Sequence, residues 1–449
     1  MTKDITTPSP QPSFRRLILV GLIGNVMEWY DFAVYGFFAV TIGKLFFPAE
    51  NPVISLIAAF GAFAAGFLVR PVGGIIFGRI GDLVGRQRAM LLSVMAMAIP
   101  TVLMGFLPTF QTLGMAAPIL LVILRLIQGL SVGGEYTSSL VFLVESGPQD
   151  RRAFCAVWGA WGASAGTLLG SGVGFLMATL LLPEQLESWG WRVPFILGGC
   201  VALVGFLLRR GLHAEAPVAH SKSPTRDAFT KYRWPMLRVA LLNLGFGAAF
   251  YTLFVYSVSF LEQFSKLSNQ QALRNNSIAM IVLLLIMPVA AKFADKYGRK
   301  AILGVGFTIL TVSAIPLFHL MSLGIRFLTI SCELALAIPI ALISGAIAAT
   351  NVELMPRAVR CTGLAFAYNI SVGVFGGMTP MIVTWLIAYL HSPAAPGYWV
   401  AATSAISALT LFFSVRETKG DSLEHGSCEA STPPPAGKHR GQGKPEEQK

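Results

Sequence analysis

Long apolar runs alternate with short charged turns along the whole chain, and this pattern confines it to a bilayer. Reading each run between its charge and turn signals gives twelve spans. The first six lie near 17–40, 54–78, 87–107, 118–142, 154–181 and 193–211. The second six lie near 236–260, 276–293, 301–321, 327–350, 362–389 and 398–416. An α-helix needs roughly 20 apolar residues to cross a hydrocarbon core about 30 Å thick, which is the scale of these runs. Composition agrees. Of 449 residues 54% are hydrophobic and 12% charged, where a soluble domain carries about 25% charged. The expected fold is an all-α polytopic membrane protein with twelve transmembrane helices, arranged as two six-helix bundles related by an internal repeat.

A net charge of +12 is at first sight the footprint of a nucleic-acid binder. The placement of the charges argues otherwise. Most lysines and arginines fall in the tails and in the loops that follow even-numbered spans. Only Lys44, Arg192, Lys266, Arg274 and Arg326 fall on the opposite side. This bias places both termini in the cytoplasm and accounts for the net charge without nucleic acid. The expected organisation is a cytoplasmic N-tail at 1–16, a first bundle at 17–212, a basic linker with Pro217 and Pro224 at 213–235, and a second bundle at 236–416. The tail at 417–449, rich in Gly, Pro, Lys and Glu, is expected to be disordered. No small-residue cleavage site follows the first apolar run, so that run is read as a retained span.

The five cysteines form no C-x-x-C, and the six histidines form no metal spacing. No Ser–His–Asp or Cys–His group and no phosphate-binding loop is suggested. The expectation is a chain with no cofactor and no metal, and not an enzyme.

The two halves repeat. Gly81-Asp82-Leu83-Val84-Gly85-Arg86 returns as Ala294-Asp295-Lys296-Tyr297-Gly298-Arg299. Glu145-x-x-Pro148-x-x-x-Arg152 returns as Glu353-x-x-Pro356-x-x-x-Arg360, and Tyr30-Asp31-Phe32-Ala33-Val34-Tyr35 is answered by Tyr251-Thr252-Leu253-Phe254-Val255-Tyr256. Each match holds the same place in its half. With six spans per half, both copies keep one membrane orientation, and a substrate site is expected between them near the midplane.

These strings resemble a known family. Gly78-x-x-x-Asp82-x-x-Gly85-Arg86 is similar to the signature loop of the major facilitator superfamily, with Leu83 and Gln87 where basic residues are usual. Gly24-Asn25-Val26-Met27-Glu28-Trp29-Tyr30-Asp31-Phe32, Arg70-Pro71-Val72-Gly73-Gly74 and Arg125-x-x-Gln128-Gly129-x-Ser131-x-Gly133-Gly134-Glu135 narrow the resemblance to the metabolite:proton symporters. Carriers of citrate, phthalates, shikimate and proline or betaine belong there. The resemblance implies proton symport by alternating access in a bacterial inner membrane, by a chain expected to be monomeric.

Ionisable groups at membrane depth are functional candidates by default. Glu28 lies about 16 Å into the first span, near the midplane, and Asp31 is one turn further on the same face. They are read as a proton-coupling pair, with Asn25 and Tyr35 on that face. Arg125, about 10 Å from the outer end of its span, suits an anionic substrate, and Gln128 accompanies it. By the repeat, Glu333 answers Arg125, which suggests that the two pair across the cavity in one conformation. Tyr35 and Tyr256 head a set of aromatics able to line a pocket, with Trp29, Tyr30, Tyr251 and Tyr368. Arg70 is open to either a gating or a pathway role. Asp82, Arg86, Glu145, Arg152 and their counterparts Asp295, Arg299, Glu353, Arg360 are read as a layer that holds the cytoplasmic side closed. Six glycines in the fifth span are read as a surface that slides during rocking.

The leading expectation is import of a small organic carboxylate with protons, either a phthalate-type aromatic dicarboxylate or a citrate-like acid. A proline/betaine osmolyte symporter is the alternative, and a transport-inactive membrane sensor a remote one. The absence of a heptad pattern in the tail tilts the choice toward a metabolic substrate.

Overall fold

The computed structural model describes residues 14–74, 76, 86–210, 224–421 and 423. The spans are α1 Phe14–Phe37, α2 Pro52–Gly74, α3 Arg86–Phe106, α4 Ala116–Ser146, α5 Gln149–Leu180 and α6 Arg192–Arg210. They continue as α7 Arg233–Gln263, α8 Asn269–Tyr297, α9 Arg299–Ser322, α10 Arg326–Leu354, α11 Arg360–Leu390 and α12 Ala395–Ser414. Several exceed the apolar run that announces them, because capped polar turns carry a helix past the hydrocarbon. α8 begins seven residues before its apolar run at Asn269, where Ser268 and Gln271 satisfy each other's backbone N–H groups in a capping box.

In the first half α1 packs on α5 and α6, α3 on α4 and α6, and α2 on α4. In the second half α7 packs on α11 and α12, α9 on α10 and α12, and α8 on α10. The halves meet chiefly where α5 lies on α8 and α2 on α11. Advancing α5 and α8 by half the fold gives α11 and α2, so the interface obeys the pseudo-twofold relation implied by the sequence repeat.

Two helix pairs set the position of the central residues. A Cβ on Gly129 would stand 1.7 Å from the Gly66 carbonyl oxygen, and one on Gly73 would stand 1.9 Å from that of Leu130. The α2 and α4 backbones therefore touch, which fixes Arg70 and Arg125 on neighbouring helices. On α5, Gly162 and Gly166 meet the carbonyl oxygens of Leu22 and Val26 on α1. These glycines bring α1 and α5 of the same half into close backbone contact. Of the six, Gly174 is the one that meets α8, at Leu273. The α5–α8 seam is instead made by Ser171 with Ser277 at 2.8 Å and by the Trp161 indole donating to the Leu284 carbonyl at 3.1 Å.

Gly298 ends α8 with φ +103°, a backbone state open to glycine and strained for other residues. The turn between α8 and α9 depends on it.

Gly129→Ala is expected to lower the melting temperature of detergent-solubilised protein or abolish recovery, since overpacking costs about 1–3 kcal/mol and this contact is backbone. Gly172→Ala, whose Cβ meets nothing within 4 Å, should be neutral or mildly stabilising. Equal melting curves for the two variants would refute the α2–α4 contact.

Candidate functional site

α1 carries polar groups into the middle of the molecule, and each is taken by a different neighbour. Asn25 donates to the Gly159 carbonyl and to Ser139 Oγ, both at 3.2 Å, and so stays within its own half. Glu28 turns toward α2, where Arg70 Nη2 lies 3.5 Å from its Oε1. Asp31 turns toward α3 and α4. Thr101 Oγ1 donates to Asp31 Oδ2 at 2.6 Å and accepts from Gln128 Nε2 at 2.7 Å. Gln128 Oε1 in turn accepts from Arg125 Nη1 at 3.0 Å. Glu28 and Asp31 are both 3% exposed, and Arg125 is fully enclosed.

The structure thus separates the two acids read as one proton-coupling pair. Glu28 leans to Arg70 and Asp31 to the Thr101 hydroxyl, because in hydrocarbon a guanidinium or a hydrogen-bond donor offsets the desolvation of a carboxylate and a second carboxylate does not. Asp31 Oδ1 faces the Gly198 backbone of α6 with no hydrogen-bond partner.

Arg70 lies over the rings of Phe32 and Phe67, with its Cζ 4.5 and 4.2 Å from their centroids. Around Glu28 and Arg70 the aromatics come from both halves. Trp29 stands 6.3 Å from Tyr136, 5.7 Å from Phe250 and 6.1 Å from Tyr251. Tyr136 stacks on Tyr368 at 4.9 Å, and Phe67 meets Tyr251 edge-on at 5.5 Å. Here α1, α2 and α4 face α7 and α11 across the pseudo-twofold axis. Two irregular turns support this face, at Thr252–Tyr256 in α7 and at Asn369–Gly376 in α11. Wide turns of this kind recur at functional sites.

Tyr136, Phe250, Phe67 and Thr101 were not singled out from the sequence. A lone aromatic or threonine inside an apolar run has the same signature as packing, and only the juxtaposition of two halves distinguishes it. Tyr35 donates its hydroxyl to the Ala59 carbonyl at 3.0 Å and offers its ring to Arg125 at 3.8 Å. Tyr256 packs on Phe60 at 5.8 Å. Both tyrosines brace helices, away from the Glu28–Arg70 centre.

The expected pairing of Arg125 with Glu333 does not occur in this conformation. Arg125 is engaged by Gln128, Tyr35 and Phe32 of its own half. Glu333 is buried in the second half beside Ser257 and Asn275. Equal depth in the repeat does not bring the two together, because α4 turns its arginine toward α1.

At the face that bears both chain ends, charged groups of the two halves interlock. Glu145 Oε1 accepts from Arg360 Nη1 at 2.5 Å, and Arg152 lies 3.8 Å from Glu353. Asp295 accepts the backbone N–H groups of Ala153 and Phe154 at 3.0 and 2.9 Å. A carboxylate there meets the positive end of the α5 dipole. Arg299 lies 3.1 Å from Asp295 and 3.2 Å from Glu353. Asp82 and the side chain of Arg86 lie outside the described residues.

Residues 417–421 and 423 join this layer, although the tail drawn at 417–449 is expected to be disordered. Glu417 accepts the N–H groups of Arg299 and Lys300 at the start of α9, at 2.8 and 3.0 Å. Thr418 donates to Glu353 Oε2 at 2.6 Å, Arg152 donates to the Asp421 carbonyl at 2.7 Å, and Arg360 reaches the Leu423 carbonyl. A bare helix N-terminus and guanidinium groups with spare N–H bonds supply partners that apolar counting overlooks.

The family model described as sugar (and other) transporter matches residues 17–217 and 212–428, dividing the chain at the linker. A glycine betaine/proline/ectoine/pipecolic acid transporter of Dickeya dadantii (strain 3937) is 34% identical over 434 residues, 93% of this chain and 86% of the relative. A citrate-proton symporter of Klebsiella pneumoniae is 32% identical over 402 residues, 88% of this chain and 90% of the relative. The crystal structure of a D-xylose-proton symporter superposes with a TM-score of 0.73 at 19% identity, covering 91% of this chain and 100% of that one. It shares the fold.

Asp295→Ala should weaken closure of the face that bears the chain ends. Losing a capping carboxylate costs about 0.5–2 kcal/mol, about a 2- to 30-fold fall in the ratio of closed to open protein. Spin labels at the exposed positions 149 and 357 would report it by pulsed dipolar spectroscopy. An unchanged short-distance fraction would remove Asp295 from the gate.

Proposed function

Because the chain belongs to the sugar (and other) transporter family, in the metabolite:proton symporter branch of the major facilitator superfamily, we propose that it imports a small zwitterion of the betaine or proline type together with protons. The observation that carries this reading is the Glu28–Arg70 ion pair inside an aromatic cluster drawn from both halves. A zwitterion presents both signs of charge a few ångströms apart. Its carboxylate suits the guanidinium fork of Arg70. Its ammonium suits Glu28 and the faces of Trp29, Tyr136 and Tyr251, since aromatic faces attract quaternary and secondary ammonium ions. A multiply charged anion would meet Glu28 as a repulsive neighbour. The betaine/proline transporter similar to this chain supports the choice. The organic-acid reading keeps the support of the citrate-proton symporter but loses its anion receptor, because Arg125 is engaged within the first half.

In this reading Asp31 is the coupling site and Arg125, Gln128 and Thr101 are its positioning residues. Its unbonded Oδ1 has room for a proton, and protonation would change the charge that faces Arg125. Asp31 and Glu28 sit one turn apart on α1, so a rotation of that helix links the proton to the solute. The interlocked charges on the basic face then part as the opposite face closes. The basic face is the cytoplasmic one in a bacterial inner membrane, and a single chain supplies both halves of the site.

The test is uptake by purified protein in liposomes under an inward proton gradient, with glycine betaine, proline, citrate, phthalate and shikimate as solutes. Betaine or proline should accumulate, and a protonophore should abolish the accumulation. Asp31→Asn should lose uphill accumulation but keep solute exchange. Arg70→Lys, which retains charge but not the planar fork, should raise KM by about tenfold, as loss of ~1.4 kcal/mol of binding would. Accumulation of citrate or phthalate in preference to every zwitterion would overturn the substrate assignment.

A further inference from the structure

Glu333 stands apart from the site described above. It is seven residues from Arg326, the start of α10, and so about 10 Å below the face opposite the chain ends. It is fully buried. Its polar neighbours are Ser257 of α7 and Asn275 of α8. No cationic group among the described residues forms an ion pair with it.

The charged groups at the outer ends of α7, α8 and α10 have other surroundings, and the Tyr256 ring of α7 packs on Phe60 and Phe260. Glu262, near the end of α7, bonds Asn269. Arg274 of α8 and Arg326 of α10 line a separate cavity of about 180 Å³ at the outer ends of those helices. Cys332 precedes Glu333 and is buried. His319 is exposed near the end of α9, and α5 carries no charged group beyond Arg152. Asn275 belongs both to the cavity wall and to the surroundings of Glu333, and Ile330, one turn nearer the surface on α10, also lines the cavity.

A buried carboxylate with no counter-charge costs several kcal/mol when ionised. Glutamine has the same shape and could meet the same serine and asparagine without that cost. What glutamate adds is a proton it can take up and give back. We propose that Glu333 is a second proton-binding site, in the C-terminal half, loaded through the cavity beside Asn275 from the face opposite the chain ends. This rests on the reading of the chain as a proton-coupled importer, and it makes the coupling two protons per solute, one at Asp31 and one at Glu333.

The stoichiometry is measurable. Proteoliposomes are given an inward gradient of about one pH unit with the membrane potential clamped at zero, and the equilibrium accumulation of the transported solute is read. Each coupled proton contributes a factor of ~10 per pH unit, so two sites give about 100-fold and one gives about 10-fold. Wild type and Glu333→Asp should reach the higher ratio and Glu333→Gln the lower. Exchange of labelled for unlabelled solute, which moves no net proton, should be unchanged in Glu333→Gln. A Glu333→Gln ratio equal to wild type overturns the site while leaving Asp31 as the coupling residue. Loss of exchange in Glu333→Gln overturns it too, by making Glu333 a structural brace. A wild type that accumulates no solute fails the coupled reading itself.

Discussion

An ion held at bilayer depth forfeits several kcal/mol of hydration, and only a close opposite charge or a full set of hydrogen bonds offsets the loss. α1 meets this constraint twice within one turn. Glu28 is answered by Arg70 of α2, and Asp31 by the Thr101, Gln128 and Arg125 chain of α3 and α4. Everything else in the first half serves to keep these partners in register. The α2–α4 backbone contact through Gly66, Gly73 and Gly129 sets the spacing between the two arginines, and the α1–α5 contact through Gly162 and Gly166 sets the depth of the two acids. A side chain inserted at either contact would displace a charge from its partner, so packing and electrostatics fail together.

The layer at the basic face is built differently, since its charged groups pair across the two halves. Glu145 is 42% exposed where it meets the buried Arg360. Arg152, Glu353 and Arg299 are buried, but they share ligands, so breaking one contact need not strip any of them of all partners. Residues 417–421 and 423 add to this sharing. By occupying the α9 N-terminus and the outer N–H bonds of Arg152 and Arg360, they supply neutral carbonyl partners to guanidinium groups whose carboxylates lie on the other half. These tail residues thereby bond groups of both bundles, Arg152 in the first and Arg299 and Arg360 in the second.

The fold was largely legible because its causes are periodic. Apolar runs of bilayer length, loop charges on one side and a repeated loop motif each act over many residues, and each fixes a helix count or a symmetry. The functional site was legible only where a residue is costly at its depth. Glu28, Asp31, Arg125 and Glu333 stand out for that reason, and Arg70 could be flagged but not placed. Their pairings could not be read, because a rotation of α4 or α10 by a fraction of a turn decides whether Arg125 meets Glu333 or Tyr35. Aromatic neighbours such as Tyr136 and Phe250 carry no desolvation signal, so nothing in the sequence separates them from Leu140 or Phe254. The tail residues Glu417 and Thr418 were hidden for a related cause. Their role follows from unsatisfied groups on α9 and α10, which are properties of the fold and not of the tail.

The repeat that builds two similar bundles does not build two similar sites. Where the first half places Asp31, the second has Thr252, whose hydroxyl is satisfied by the Ala248 carbonyl at 2.6 Å. Where the first half places Arg125, the second has Glu333. The first half therefore holds two acids and two arginines as a charge-balanced buried set, Glu28 beside Arg70 and Asp31 linked to Arg125 through Thr101 and Gln128. The second half offers that set an aromatic face, through Phe250, Tyr251 and Tyr368, and keeps the buried carboxylate of Glu333 toward the opposite mouth. Rocking two identical bundles would expose the same chemistry to each side in turn. With the charged groups concentrated in one half and a mostly neutral wall in the other, the two halves cannot present the same chemistry to each side, and the symmetry of the bundles is one of packing and not of charge.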